Sequence, residues 1–284
     1  EVIEEMIKQN KLELNGVPII DLRSNKEAER REQFAKIYYK KMQRKGINYD
    51  DAKQRMYNQN YFGVMMVETG QADAMVSGYA SKYFDTITPA DEICETKSGV
   101  KAGMFIIMTK RGPFFLADTT VHVQPSGETL AKITTLTAEE IRKFNIDPVI
   151  AMVSYSNFGT VEGGSPQRVR DAIEILHRDH PELCVDGEVQ ANFALNKELR
   201  MNQFPFTKLK DRDVNTIIFP NATSGSVTHK IMYELLDAEA IGPVLIGIKK
   251  PIHIIPIGCS IRDIVNVTTL AVVDAQDIAN GKQD

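Results

Sequence analysis

The chain has 284 residues, of which 43% are apolar and 25% charged, and a net charge of −4. This is the balance of a globular protein with room for one large or two modest domains. The two signs are interspersed, which excludes the basic groove of a nucleic-acid binder and a charged membrane-binding face. Glu1 opens directly into a helical pattern that runs to Asn10, as expected of a chain cut from something longer. Ser24 and Glu27 have the spacing of a capping box ahead of a long helix ending near Gly46. Its apolar face is expected to carry Phe34, Ile37, Tyr38 and Met42. A second helix is predicted over 50–68, and Ala74-Met75-Val76 reads as a short buried strand. Runs at 104–109 and 113–117, separated by Lys110-Arg111-Gly112, predict a hairpin. Thr137 with Glu140 suggests another helix cap.

The run 149–155 is a continuous apolar strand of the kind buried on both faces. A polar, glycine-rich loop over 156–164 follows it. Ser165 is then expected as the cap of a helix with Pro166 in first position and Val169, Ala172, Ile173 and Leu176 inside. The same order of strand, loop and helix recurs at 216–219, 220–226 and 227–240, and again at 253–257, 258–259 and 260–275. Such alternation predicts an α/β fold. Ligands in open α/β sheets bind where strand ends meet helix N-termini, so these three junctions are the natural walls of a site.

No apolar stretch is long enough to span a bilayer, and no signal peptide is visible. Cys94, Cys184 and Cys259 contain no C-x-x-C pair and read as free thiols in a reducing compartment, so a cytoplasmic location is expected. P-loop, G-x-G-x-x-G, H-E-x-x-H and G-x-S-x-G patterns are all missing, so neither a nucleotide fingerprint, a metal site nor a hydrolase elbow is expected.

Six blocks in order carry a resemblance that covers nearly the whole chain. Residues 72–78 are similar to "ADGLVSG", 151–156 to "AMLSYS", 185–191 to "VDGELQA" and 218–225 to "IFPDLNAG". Residues 238–243 are identical to a further block, and 258–260 with 263–266 resemble "GCSVEDIVN". All six are blocks of the phosphotransacetylase family, the phosphate acetyl/butyryl-type acyltransferases. The resemblance implies two α/β/α sandwich subdomains with a cleft between them, as in isocitrate and isopropylmalate dehydrogenases. Residues 1–95 plus 250–284 are expected to form one subdomain, its N-terminus truncated, and 96–249 the other. It also implies a reaction between acetyl phosphate and coenzyme A. An aspartate helps deprotonate the thiol and arginines hold the phosphate, since a thiol of pKa ~8.5 needs a base and a phosphate leaving group needs fixed cations.

Asp263 is the counterpart of that aspartate, although Ser260 and Asp263 also make an S-x-x-D helix cap, and both roles stay open. Three family arginines are replaced by Ile257, Thr88 and Met42, and Lys82 stands where the family has serine. Losing one charge-stabilising donor typically costs ~10²- to 10³-fold in rate, so the expectation is that transfer chemistry is gone. Hybrid NADP-dependent malic enzymes are the members with this profile. The resemblance then implies a regulatory and oligomerisation domain that binds acetyl-CoA as effector in a vestigial cleft and forms a homo-oligomer. NADP and a divalent metal would belong to a missing N-terminal half. Two alternatives stand beside it: an active acyltransferase using Asp263 and Lys82, and a purely structural oligomerisation module. The expected ligand residues are Ser156, Asn157, Gly159 and Thr160; Asn221, Ser224, Gly225 and Ser226; Ile257, Gly258, Cys259, Ser260 and Asp263; and Lys82. No nucleic-acid, membrane or metal partner is expected for this domain.

Overall fold

Short polar side chains decide where the helices of the first 71 residues begin. The structure, a computed structural model, describes residues 2–14, 16–236 and 239–281. Residues 1–71 form one unit and 72–284 another. The first unit holds α1 (Val2–Gln9), α2 (Ala28–Met42), α3 (Tyr49–Arg55) and α4 (Gln59–Glu68). Phe34, Tyr38 and Met42 of α2 are buried, with Phe34 edge-on to Phe62 of α4 at 5.1 Å. Ile37 lies off that stripe and is 38% exposed, contrary to expectation. Ser24 does not make the expected box. Its hydroxyl accepts from the N–H of Lys26 and caps a single tight turn, while Glu27 pairs forward with Arg30. The single helix expected over 50–68 is broken in two, because the Asn58 side chain accepts from the N–H groups of Asn60 and Tyr61 and starts α4 afresh.

Residues 72–284 carry β1 (Met75–Ser77), α5 (Tyr83–Ile93), β2 (Ala102–Thr109), β3 (Gly112–Ala117), α6 (Gly127–Lys143), β4 (Val149–Val153), α7 (Gly164–Asp179) and β5 (Cys184–Val189). The short helices α8 (Ala191–Leu195) and α9 (Lys197–Gln203) follow, then β6 (Thr216–Ile218), α10 (Ala222–Leu236), β7 (Ala240–Ile246), β8 (Ile252–Ile254) and α11 (Ile261–Ala279). Six strands form a mixed sheet in the order β5-β4-β6-β3-β2-β7, and β1 pairs with β8 in a separate two-stranded parallel sheet. The predicted hairpin is β2 and β3, antiparallel with Thr109 opposite Gly112. All of β4 is buried, as a continuous apolar run requires. One face of the large sheet packs on α6 and α7 through Leu130, Ile133, Val169, Ala172 and Leu176.

Four boundaries differ from the sequence reading, each for a local reason. Thr137 caps nothing. It is buried within α6 with its hydroxyl donating to the Ile133 carbonyl, and Ser126 caps that helix by accepting from the N–H of Thr129. Gly163, not Ser165, precedes α7. α10 begins at Ala222, five residues early, because the Asn221 side chain accepts from the N–H of Ser224. β7 was hidden by Gly242-Pro243, a pair that argues against a strand. It pairs with β2 in a register that shifts between Met104 and Ile106. Positions 237 and 238, including the first residue of the 238–243 block, lie outside the described residues. Among the described residues no helix is long and apolar enough to cross a membrane.

A buried charge network ties α6, β8 and α11 together. Asp274 accepts from Lys143 Nζ at 2.8 Å and pairs with His253 Nε2 at 3.0 Å, and Lys143 also reaches Glu140 at 2.7 Å. Burial works against the Asp274 anion, but the His253 bond and Lys143 outweigh it and hold the carboxyl below its usual range. A carboxyl depressed in the folded state contributes stability that is present above its unfolded pKa of ~3.9 and fades as pH falls through the folded value. Asp274→Asn should therefore destabilise the protein by about 1–3 kcal/mol near neutrality. In urea titrations the gap to the wild type should narrow as pH is lowered below ~4.

Candidate active site

Asp118, just beyond β3, is 1% exposed. Its carboxylate gathers four backbone N–H groups: Oδ1 accepts from Gly103, Thr120 and Val121 at 3.0–3.1 Å, and Oδ2 from His122 at 2.8 Å. Thr119 donates both its N–H and its hydroxyl to the Gly103 carbonyl. Residues 118–122 are thereby fixed as a tight loop, and α10 lies directly on it. A Cβ on Gly225 would stand 2.5 Å from the Asp118 carbonyl oxygen and 3.0 Å from Thr119 Cα. A second close approach brings β1 to the chain after β8. Gly78 has φ +137, and a Cβ there would sit 2.1 Å from the Ile255 carbonyl oxygen.

These contacts shape a cleft of about 410 Å³, within the range of small-molecule sites. Ser226, His229, Lys230 and Tyr233 line it from α10, at the i, i+3, i+4, i+7 spacing of one helix face. Ile255 through Cys259 and Asp263 form a further stretch of lining, joined by Ser81, Tyr83, Phe105, Thr119 and Thr120 and by Ala240, Gly242 and Pro243 of β7. Burial pushes the Tyr83 phenol up to about 12, so it stays a neutral hydroxyl. The Cys259 thiol is raised by burial and by the nearby Asp263 charge, which keeps it protonated.

Asp263 sits at the N-terminus of α11 and does form the reciprocal cap. Its N–H donates to Ser260 Oγ at 3.1 Å, and its Oδ2 accepts from Ser260 N–H at 2.7 Å and Ser260 Oγ at 2.8 Å. The cap therefore aims a carboxylate that also lines the cleft. Lys230 is exposed and, among the described residues, makes no ion pair.

The expected ligand residues fall into groups. Ser226, Ile257, Gly258, Cys259 and Asp263 line the cleft together, with Ser260 orienting Asp263. Asn221 and Ser224 build the first turn of α10, and Gly225 is its contact with the 118–119 backbone. Ser156, Asn157, Gly159 and Thr160 are organised around Glu188, which is fully buried. Glu188 Oε1 accepts from Ser156 Oγ at 2.8 Å, Gly159 N–H at 3.0 Å and Arg170 Nη1 at 2.9 Å, and Thr160 Oγ1 bonds Ser156 Oγ. Lys82 is exposed and ends the loop before α5, its carbonyl accepting from Asp85 N–H. Sequence reasoning missed His229, Lys230, Tyr233, Tyr83, Thr119 and Thr120. The polar stripe on α10 was legible in principle, but placing the helix start at Val227 removed Ser226 from it.

The Phosphate acetyl/butaryl transferase family matches residues 1–272. The chain is 32% identical over 279 residues to the NADP-dependent malic enzyme of Escherichia coli, covering 97% of this chain and 37% of that protein. It is 32% identical over 275 residues to the phosphate acetyltransferase of Bacillus subtilis, covering 96% of this chain and 84% of that one. A solved phosphotransacetylase from Streptococcus pyogenes superposes with a TM-score of 0.80 at 33% identity, covering 95% and 83% of the two chains. The chain thus spans little more than a third of the malic enzyme it matches and most of the phosphate acetyltransferase.

These near-full-length similarities overturn two expectations: that the domain is a vestigial regulatory module, and that it is catalytically inactive. The expectation rested on Ile257, Thr88 and Met42 standing where arginines do in the family. It left out Lys230, which lines the cleft from a helix face that carries no such motif. Gly225→Ala should displace α10 from the 118–119 loop. The cost of such overpacking is about 1–3 kcal/mol, readable as a lower urea midpoint, and Thr119→Ser, which keeps the hydroxyl, should cost far less.

Proposed function

Because the chain belongs to the Phosphate acetyl/butaryl transferase family, we propose that it is an active phosphate acyltransferase moving an acyl group between an acyl phosphate and coenzyme A. The observation that carries this reading is a cleft in which a carboxylate, Asp263, and a cation, Lys230, line the same space. The thiol of coenzyme A loses its proton to Asp263, whose Oδ2 is held by Ser260. The thiolate attacks the acyl carbon, the sulfur–carbon bond forms, and the bond from that carbon to the phosphate oxygen breaks. Phosphate leaves with the electron pair, and Lys230 offsets its charge. The helix N-terminus of α11 adds partial positive charge beside Asp263. Tyr83, Ile255, Pro256 and Ile257 give the cleft part of its apolar wall.

The two subdomains we assign to this work are residues 1–95 plus 250–284 and residues 96–249, folded as in isocitrate dehydrogenase-type enzymes. What supports the division is that the cleft draws its lining from both segments: Ser81, Tyr83 and 255–263 from one, Phe105, Thr119, Thr120 and the α10 stripe from the other. Ser226, Ile257, Gly258 and Cys259 are the proposed ligand contacts of the cleft, and a homo-oligomer is the proposed assembly. The similarity to malic enzymes supports a longer parent protein, in which NADP and a divalent metal would bind outside this chain.

The test is thioester formation from acetyl phosphate and coenzyme A, followed by the ultraviolet absorbance of the thioester, with the wild-type chain, Lys230→Met and Asp263→Asn compared. Lys230→Met should lower kcat by ~10²- to 10³-fold, with Lys230→Arg recovering part of it. Wild-type turnover no greater than that of a buffer blank would refute the reading.

A further inference from the structure

His229 stands on the cleft-lining face of α10, one turn after Ser226 and beside Lys230. Its ring lies against Phe105 of β2 with centroids 3.6 Å apart and planes 22° from parallel, so the stack fixes the plane of the imidazole. The Nε2 atom is buried and, among the described residues, has no hydrogen-bond partner. Buried polar atoms are nearly always satisfied, so an orphan on a side chain that lines a ligand-sized cleft calls for a partner the protein itself does not supply. Burial, reinforced by Lys230, pushes the imidazole down to about 4, which leaves the ring neutral in ordinary buffers. A neutral imidazole carries one N–H, and such a group can polarise a carbonyl without first surrendering a proton.

Two ligand atoms in the proposed reaction need partners of different kinds. The phosphate oxygens carry full charge and call for a cation, the role Lys230 fills. The acyl oxygen is neutral at first and gains charge only as sulfur bonds to carbon and the carbonyl electron pair moves onto oxygen. A fixed neutral donor suits that change, because it strengthens as the charge grows. We propose that His229 donates a hydrogen bond from Nε2 to the acyl carbonyl oxygen of the bound substrate. The bond persists while the pair returns and phosphate departs, so no proton passes through His229. The inference rests on the acyltransferase reading and adds to it the residue that holds the acyl group. The other titratable side chains lining the cleft are Tyr83, Lys230, Tyr233, Cys259 and Asp263. Among them Lys230 works against a charged His229.

The experiment compares the wild-type chain with His229→Phe, which keeps the stack on Phe105 and removes the donor, and His229→Gln, which restores a neutral donor. Steady-state kinetics with acetyl phosphate and coenzyme A should show kcat of the Phe variant down ~10²-fold or more, with KM for coenzyme A unchanged and partial recovery in the Gln variant. Binding of acetyl-CoA labelled with ¹³C at the carbonyl gives a readout that needs no turnover. Its infrared stretch should fall to lower frequency on the wild type and not on the Phe variant. Should the Phe variant misfold, the Gln variant and the wild-type shift still decide. Normal turnover by the wild type with an unshifted carbonyl, or with kcat preserved in a folded Phe variant, overturns the role of His229 alone. A wild type without turnover or acetyl-CoA binding sinks the acyltransferase reading instead.

Discussion

The buried carboxylate of Asp118 is the interaction on which the cleft depends. Four N–H groups converge on it, and a loop held by four charge-assisted bonds has one conformation rather than several. That rigidity lets α10 approach until Gly225 touches the backbone of Asp118 and Thr119. The orientation of α10 in turn decides which of its side chains face the cleft. The chain of cause therefore runs from one carboxylate to a loop, from the loop to a helix, and from the helix to the stripe of Ser226, His229, Lys230 and Tyr233.

A second constraint meets the first. The two-stranded sheet brings the chain after β8 within hydrogen-bonding distance of β1, with Ile255 N–H donating to the Ser77 carbonyl at 2.8 Å. Only a residue without a side chain can occupy position 78 under the Ile255 carbonyl. The stretch 255–259 is thus carried to the cleft by backbone contact, and the Ser260–Asp263 cap finishes the job by fixing a carboxylate at its end. The same cap that made Asp263 ambiguous in the sequence is what orients it. Stability and chemistry share one pair of residues there, with no conflict between the two roles.

The apolar periodicity of the sequence made β4, the β2–β3 hairpin and the inner face of α7 legible, because burial on one or both faces leaves a pattern along the chain. Helix boundaries were less legible where two polar residues competed to cap. Thr137 looked like a cap but sits within α6, its hydroxyl satisfied by the Ile133 carbonyl four residues back. Asn221 looked like loop but is the cap of α10. The site was readable only in part. Ser260 and Asp263 carry a local signature, whereas Lys230 and His229 belong to the site through the long-range contact of α10 with the Asp118 loop. Counting lost arginines position by position could not reveal a cation supplied from that helix, and so the inference of a dead cleft failed.

The central claim is that this cleft reversibly exchanges phosphate and coenzyme A on an acyl group. The most direct measurement is isotope exchange at equilibrium, with ³²P-labelled phosphate, acetyl-CoA and the intact chain. Label should enter acetyl phosphate when acetyl-CoA is present, and entry should collapse when Asp263 is replaced by Asn. Complete absence of labelled acetyl phosphate, from a folded protein that binds acetyl-CoA, would contradict the account.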